Sequence, residues 1–379
     1  MLPALKPSGL SLADVLQSCL GAISGGQNRL GLPQVNRAIV VLIDGLGTHS
    51  LKARTGHART LAGALTTKSV IESGFPTTTA AAIATLATGV PPGQHGLVGY
   101  TVLDAPNDRM VNQLSGWDDR LDPATWQLVP TLFETATAAG LSAIAIGPER
   151  YRDSGFTHAV LRGARYVAAA AISDRMQLAA EAAREPGPPG LIYVYVPELD
   201  MAAHSHGWES REWTSALETT DGAVRALVAT LGAAQGLVVT ADHGLLDVAN
   251  RSHVIIDSVP MLVDGVRFVA GDPRCLQLHF EPDSSAAHRS RVVEAWREAE
   301  SDRAWVATRD EAIAAGWFGP VRPEVAPRIG DLLVAARTSI AYYDSRTATG
   351  HARAMVGQHG SFSPAELRVP LLRFGAFAG

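Results

Sequence analysis

Six side chains able to hold a divalent metal lie directly after, or just beyond, apolar runs. Asp44 closes VVLIDG, Asp200 and His204 lie in PELDMAAHSHG, Asp242 and His243 close VVTADHG, and His359 sits in GQHGSFSP. Carboxylates and imidazoles in this mixture are the donor set of paired zinc ions. Asp200 and His204 are four apart, so one helical turn would place both on one face. Asp242 and His243 are adjacent, and only a loop after a strand can turn both toward one ion. The run GFPTTTAAAIATLATGVPPGQHG adds the hydroxyls of Thr77, Thr78 and Thr79 just before an Ala-rich helical stretch. A helix N-terminus favours anions, so a phosphate could dock there. A neutral threonine is a poor nucleophile, but coordination to a metal lowers its pKa and supplies an alkoxide. Taken singly, each feature has a plainer reading: a strand-end Asp caps a turn, and a Thr run caps a helix.

The order of these motifs resembles the nucleotide pyrophosphatase/phosphodiesterase branch of the alkaline phosphatase superfamily, from about Val40 to Leu372 apart from an inserted region. The chain has the strand-end Asp44, then Pro76-Thr77-Thr78-Thr79, Thr88-Gly89, Pro92-Gly93-Gln94-His95-Gly96, Asp200 with His204 and Gly207, Asp242-His243-Gly244, and Gly357-Gln358-His359-Gly360. The resemblance implies that Thr79 is the nucleophile. It implies that Asp200, His204 and His359 hold one zinc, and that Asp44, Thr79, Asp242 and His243 hold the other. It also implies a phospho-threonine intermediate that water then cleaves. In one place the pattern departs: Ala80, Ala81 and Ala82 stand where the family's phosphodiesterases usually carry Phe-Pro-Asn.

These residues need a scaffold that brings distant stretches together. Arg37–Ile43, LSAIAI at 141–146, LIYVYV at 191–196 and GLVVT at 236–240 are short continuous apolar runs. Such runs suit strands buried on both faces. Helical stretches at 8–24, 129–139, 171–184 and 212–233 alternate with them, which predicts βαβ units and a ligand site at the carboxyl ends of the strands. With the resemblance, the expected fold is α/β: an alkaline-phosphatase-like three-layer α/β/α core with a mostly parallel sheet and an inserted smaller α+β cap. The expected divisions are an N-terminal helical extension at 1–30, a metal-binding core at 31–250 and 346–379, and the cap at 251–345. Within the cap, MLVDGVRFV reads as a hairpin turning at Asp264-Gly265. CLQLHF and DLLVAARTSIAYYD read as strands, and 287–300 as a helix. The segment from Tyr100 to Trp117, with Asn107 and Asn112, is a candidate pocket wall.

Net charge is −5 and the lysines are Lys6, Lys52 and Lys68 alone, so no nucleic-acid-binding signature is present. The expected partner is a small phosphorylated substrate; the sequence leaves the oligomeric state open. Cys19 and Cys275 form no Cys-x-x-Cys pair, no apolar run is long enough for a membrane span, and the N-terminus lacks a secretory pattern. The expected location is the cytoplasm. The function expected is two-metal hydrolysis of phosphodiester or nucleotide pyrophosphate bonds. The alternatives are a phosphonate hydrolase of the same superfamily, or a catalytically weak metal-binding protein. The sequence lacks an Arg beside Thr79 of the kind that grips a phosphate monoester, and lacks the Cys/Ser-x-Pro-x-Arg pattern of sulfatases.

Overall fold

The computed structural model describes residues 2–4 and 9–378. Ser8, where the first helical stretch was expected to begin, lies outside them. The expected apolar runs all become strands of one seven-stranded sheet. Its spatial order is Val70–Glu72, Arg368–Gly375, Gln235–Thr240, Arg37–Ile43, Gly190–Val196, Ser142–Gly147 and Arg165–Ala168. The five strands from Gln235–Thr240 to Arg165–Ala168 are parallel, and Arg368–Gly375 runs antiparallel to its neighbours on both sides. Every residue of Arg37–Ile43 is buried, as a strand covered on both faces requires.

Two groups of helices provide that cover. Ala13–Ser24 packs with Thr79–Thr88 and Leu132–Ala138, while Ile172–Arg184 packs with Arg211–Val228. Both groups rest on Arg37–Ile43 and Gly190–Val196, which makes three layers. Several helix starts are fixed locally: Thr131 and Thr308 form capping boxes with Glu134 and Glu311, and Ser210 caps Arg211–Val228. The N-terminal helix packs against the main core, where Leu12, Val15, Leu16 and Cys19 are fully buried.

A second, six-stranded antiparallel sheet has the order Ala304–Thr308, Leu332–Ala336, Cys275–Phe280, Val266–Asp272, Thr101–Asp104 and Arg109–Asn112. Four of its strands fall in 251–345, and the other two come from 101–112. That hairpin covers the edge of Val266–Asp272 at Thr101, where an exposed edge would leave backbone groups unpaired. Its own core is built on Trp296 of the helix Ala286–Glu300.

The hairpin expected to turn at Asp264-Gly265 is absent. Pro260–Leu262 is a short 3-10 turn whose last carbonyl accepts from the Trp296 indole, and the real hairpin joins Val266–Asp272 to Cys275–Phe280. Docking onto Trp296 outweighs the local Asp-Gly signal, although Gly265 does take a left-handed φ of 66°. The run 331–344 splits into Leu332–Ala336 and Ala341–Tyr343, which belong to different sheets. Both cysteines are buried free thiols, and no helix among the described residues is long and apolar enough to cross a membrane.

Candidate metal centre

Three neighbouring parallel strands deliver the carboxylates. Asp44 follows the central strand Arg37–Ile43, Asp242 follows Gln235–Thr240 by two residues, and Asp200 lies in the helix Glu198–His206 that leaves Gly190–Val196. Adjacent strands are about 4.8 Å apart, so side chains at their ends converge without special loops. Tight backbone approaches then hold the loops in place. A Cβ on Gly244 would lie 2.0 Å from the Ala365 carbonyl oxygen and 2.7 Å from Gly47 Cα. Gly244→Ala should therefore destabilise the fold by about 3 kcal/mol or more, read as a lower urea midpoint. An unchanged midpoint would contradict the packing described.

The six predicted metal-binding residues and Thr79 are brought to one place. The Thr79 hydroxyl is 3.1 Å from His243 Nε2, and His243 Nε2 is 3.4 Å from Asp44 and 3.6 Å from Asp242. His204 Nε2 is 3.1 Å from Asp200, and His359 Nε2 is 3.9 Å from Asp200. Two sets of ligand atoms lie close enough to share an ion: Asp44, Asp242 and His243, and Asp200, His243 and His359. His243 belongs to both because its ring stacks on His359 at 3.8 Å.

All three histidines are held in the same way. Nδ1 of His204 faces the Gly357 carbonyl at 2.8 Å, Nδ1 of His243 faces the Gly244 carbonyl at 3.1 Å, and Nδ1 of His359 faces the Thr77 carbonyl at 2.8 Å. A carbonyl can only accept, so each Nδ1 carries a proton and Nε2 is the atom turned toward a metal, with a lone pair already free at His243 and His359 and a proton to displace at His204, whose pKa burial lowers but Asp200 raises further. Burial lowers the pKa of His243 to about 4 and of His359 to about 3, so both are neutral at pH 7.

The carboxylates are arranged at an electrostatic cost. Burial, then the charges of Asp242 and Asp200, pushes Asp44 well above the usual carboxylate range. Burial raises Asp242 to about 6. Burial also raises Asp200, but His204 beside it outweighs that and holds it low. One oxygen each of Asp44, Asp200 and Asp242 is buried without a hydrogen-bond partner. Buried carboxylate oxygens are rarely left in this state unless an ion completes them.

Thr79 opens the helix Thr79–Thr88, and Thr78 is its N-cap residue. The Thr78 side chain does not cap; it donates to Asp272 at 3.1 Å instead. The first backbone N–H groups of the helix therefore stay available to an anion. Thr77 is tied off as well, donating to the Ser361 carbonyl and accepting from Gly360 N–H. Of the three hydroxyls, Thr79 alone faces the histidine–carboxylate group. Ala80, Ala81 and Ala82 are buried in helix packing.

Two contributors escaped the sequence reading. The Tyr195 hydroxyl donates to Asp44, and Asp272 reaches from the second sheet to the Thr77–Thr79 turn. The one available signal for Tyr195 was its place near the end of a strand otherwise built of apolar residues. A cavity of about 90 Å³ opens beside Thr79, walled by groups such as Ile83, Leu114, Tyr151, Phe156 and Tyr195, with no charged side chain in its lining. Of the Tyr100–Trp117 segment, Leu114 lines this cavity, while Asn107 and Asn112 serve local turns. His95 ties its turn through Leu97 N–H and Thr85, as a structural residue would.

A model of the type I phosphodiesterase / nucleotide pyrophosphatase family matches residues 38–362. No curated protein matches the chain in sequence. Solved structures do match in shape. Murine ectonucleotide pyrophosphatase/phosphodiesterase 5, solved as an inactive form with AMP, is similar with a TM-score of 0.69 at 17% identity, over 89% of this chain and 88% of that one. The human counterpart gives 0.67 at 17% identity, over 89% and 87%. Phosphonoacetate hydrolase from Sinorhizobium meliloti 1021, in complex with phosphonoformate, gives 0.68 at 19% identity, over 92% and 91%.

Proposed function

The chain belongs to the type I phosphodiesterase / nucleotide pyrophosphatase family of the alkaline phosphatase superfamily, and from that premise we propose that it hydrolyses phosphodiester or nucleotide pyrophosphate bonds with Thr79 as nucleophile and two zinc ions as cofactors. The observation that carries this reading is one convergence beside the Thr79 hydroxyl. Three histidines turn their Nε2 atoms there, with Nδ1 held by backbone carbonyls, and three buried carboxylate oxygens lack a hydrogen-bond partner. That donor set fits divalent metal. Asp44, Asp242 and His243 with Thr79 would hold one ion, and Asp200, His204 and His359 the other. Metal bound there would lower the pKa of the Thr79 hydroxyl and offset charge building on the phosphoryl oxygens.

The chain's own groups do the rest. The backbone carbonyls that hold the histidines and the Tyr195 hydroxyl that holds Asp44 fix the donor atoms in place. The free N–H groups at the start of the Thr79–Thr88 helix offer hydrogen bonds to a phosphoryl oxygen. Thr79 Oγ1 forms a bond to phosphorus while the bond to the departing oxygen breaks, and that oxygen leaves protonated or as phosphate. Water then attacks the phospho-threonine, the Thr79 oxygen regains its proton, and the second product departs. The uncharged cavity beside Thr79 is the place for the apolar part of an esterified group. Two free thiols suit a reducing compartment, and a cytoplasmic location is part of this proposal.

The similarity in shape to a phosphonoacetate hydrolase keeps a phosphonate substrate as the second reading. A panel separates the readings: bis-p-nitrophenyl phosphate, a nucleotide pyrophosphate, phosphonoacetate and a phosphate monoester, with zinc or manganese added. Turnover of a diester or pyrophosphate is expected. Turnover of phosphonoacetate alone favours the second reading, and bound metal with no turnover favours a catalytically weak metal-binding protein. A protein that neither binds metal nor turns over any of them would contradict all three.

A further inference from the structure

The loop after the strand Ser142–Gly147 carries two arginines that are held differently. Arg152 grips Glu149 through two hydrogen bonds of 2.8 and 2.9 Å. Arg150 forms no ion pair with any described residue; its contacts are neutral. Its guanidinium carbon lies 4.7 Å from the centre of the Tyr151 ring, and its Nη2 is 2.9 Å from the Met201 sulfur. A thioether is a weak acceptor and cannot neutralise a cation. The stacking and the sulfur contact fix the plane of the guanidinium while leaving most of its N–H donors open.

The position matters as much as the missing partner. Tyr151 walls the same cavity as Thr79, and its ring lies 5.8 Å from that of Tyr195, whose hydroxyl donates to Asp44. Met201 follows Asp200 in the helix Glu198–His206 and is 46% exposed, so the guanidinium is open to solvent where it meets that helix. Arg150 therefore touches both Tyr151, which walls the uncharged cavity beside Thr79, and Met201, the residue after Asp200. A substrate with a second negative group would meet no compensating positive charge in the cavity lining.

We propose that Arg150 is a specificity-determining residue whose guanidinium receives a second anionic group of the substrate, a phosphate or a carboxylate carried close to the phosphorus that Thr79 attacks. This rests on the reading of Thr79 and its metal-binding neighbours as the reaction centre. A planar fork of donors matches either anion through paired hydrogen bonds. The substrate class is then a compound with two adjacent anionic groups, rather than a singly charged diester.

The test is calorimetric binding to the zinc-loaded protein, with methylenediphosphonate and phosphonoacetate compared against methylphosphonate, which lacks the second group. Phosphonoacetate is titrated into Thr79→Ala protein so that it stays intact. The readout is the ratio of affinities. Wild-type protein should prefer at least one two-anion ligand by about tenfold or more, in keeping with a charge-assisted hydrogen bond. In Arg150→Met that ratio should fall toward one, and Arg150→Lys, with a charge but no fork, should fall between. Loss on the diphosphonate arm assigns a second phosphate, and loss on the carboxylate arm assigns a carboxylate. No preference in the wild type, or a preference that survives in a folded Arg150→Met protein, overturns the proposal. Binding ratios do not depend on turnover. Arg150-dependent binding without hydrolysis of any substrate would therefore count against the hydrolase reading and leave this assignment standing.

Discussion

Thr79→Ala should lower kcat on bis-p-nitrophenyl phosphate by at least about a thousandfold, with thermal unfolding little changed. The size follows from the lack of a substitute. Thr77 is engaged with Ser361 and Gly360, and Thr78 with Asp272, so neither hydroxyl is free to replace the one beside His243. The fold should tolerate the change because Thr79 is the first residue of its helix and not its cap, and alanine is the better helix former. Thr79→Ser keeps the hydroxyl and should keep a measurable share of activity. Acid quenching during turnover should trap a phosphate ester on wild-type protein and none on Thr79→Ala. Near-normal turnover by Thr79→Ala, or an ester trapped on another residue, would remove Thr79 from the centre of the mechanism.

Legibility in the sequence followed the range over which each feature is determined. The core strands were readable because burial on both faces leaves a continuous apolar run, as in Arg37–Ile43. Asp200 and His204 were readable as a pair because a single helical turn sets their relation, and the helix Glu198–His206 is present. His359 was different. No local pattern ties it to Asp200, some 160 residues earlier, and only the order of motifs along the chain pointed to it. The sharing of His243 between two ligand groups was not legible at all, because it depends on its ring stacking against His359. The second sheet failed in a similar way. Its edge is completed by 101–112, and a strand's partner in space leaves no mark on its own residues. The Asp264-Gly265 turn signal was real locally, but the pairing of Val266–Asp272 with Cys275–Phe280 decided where the hairpin lies.

Removing the metal should abolish hydrolysis, and about two equivalents of zinc per chain should restore it. The argument is the state of the donors without an ion. Asp44 is pushed well up by burial and by neighbouring carboxylates, and burial raises Asp242 to about 6. A divalent cation reverses that pressure and holds both ionised. The sign of the pH effect follows. His243 and His359 titrate near 4 and 3, so they offer no protons for zinc to displace at pH 5. The protons come instead from Asp44, from Asp242 and from His204, which burial lowers but Asp200 raises further. In the metal-free protein the raised pKa of Asp242 makes its contribution to stability largest below about 4 and lost as pH rises through about 6; the two lowered histidines act in the opposite sense. With zinc, competition by protons dominates, and the gain in stability grows with the free metal concentration relative to its dissociation constant. The rise in melting temperature on adding zinc should therefore be larger at pH 7.5 than at pH 5, measured at one fixed free zinc concentration. An equal or larger rise at pH 5 would mean that these carboxylates are not what the metal binds.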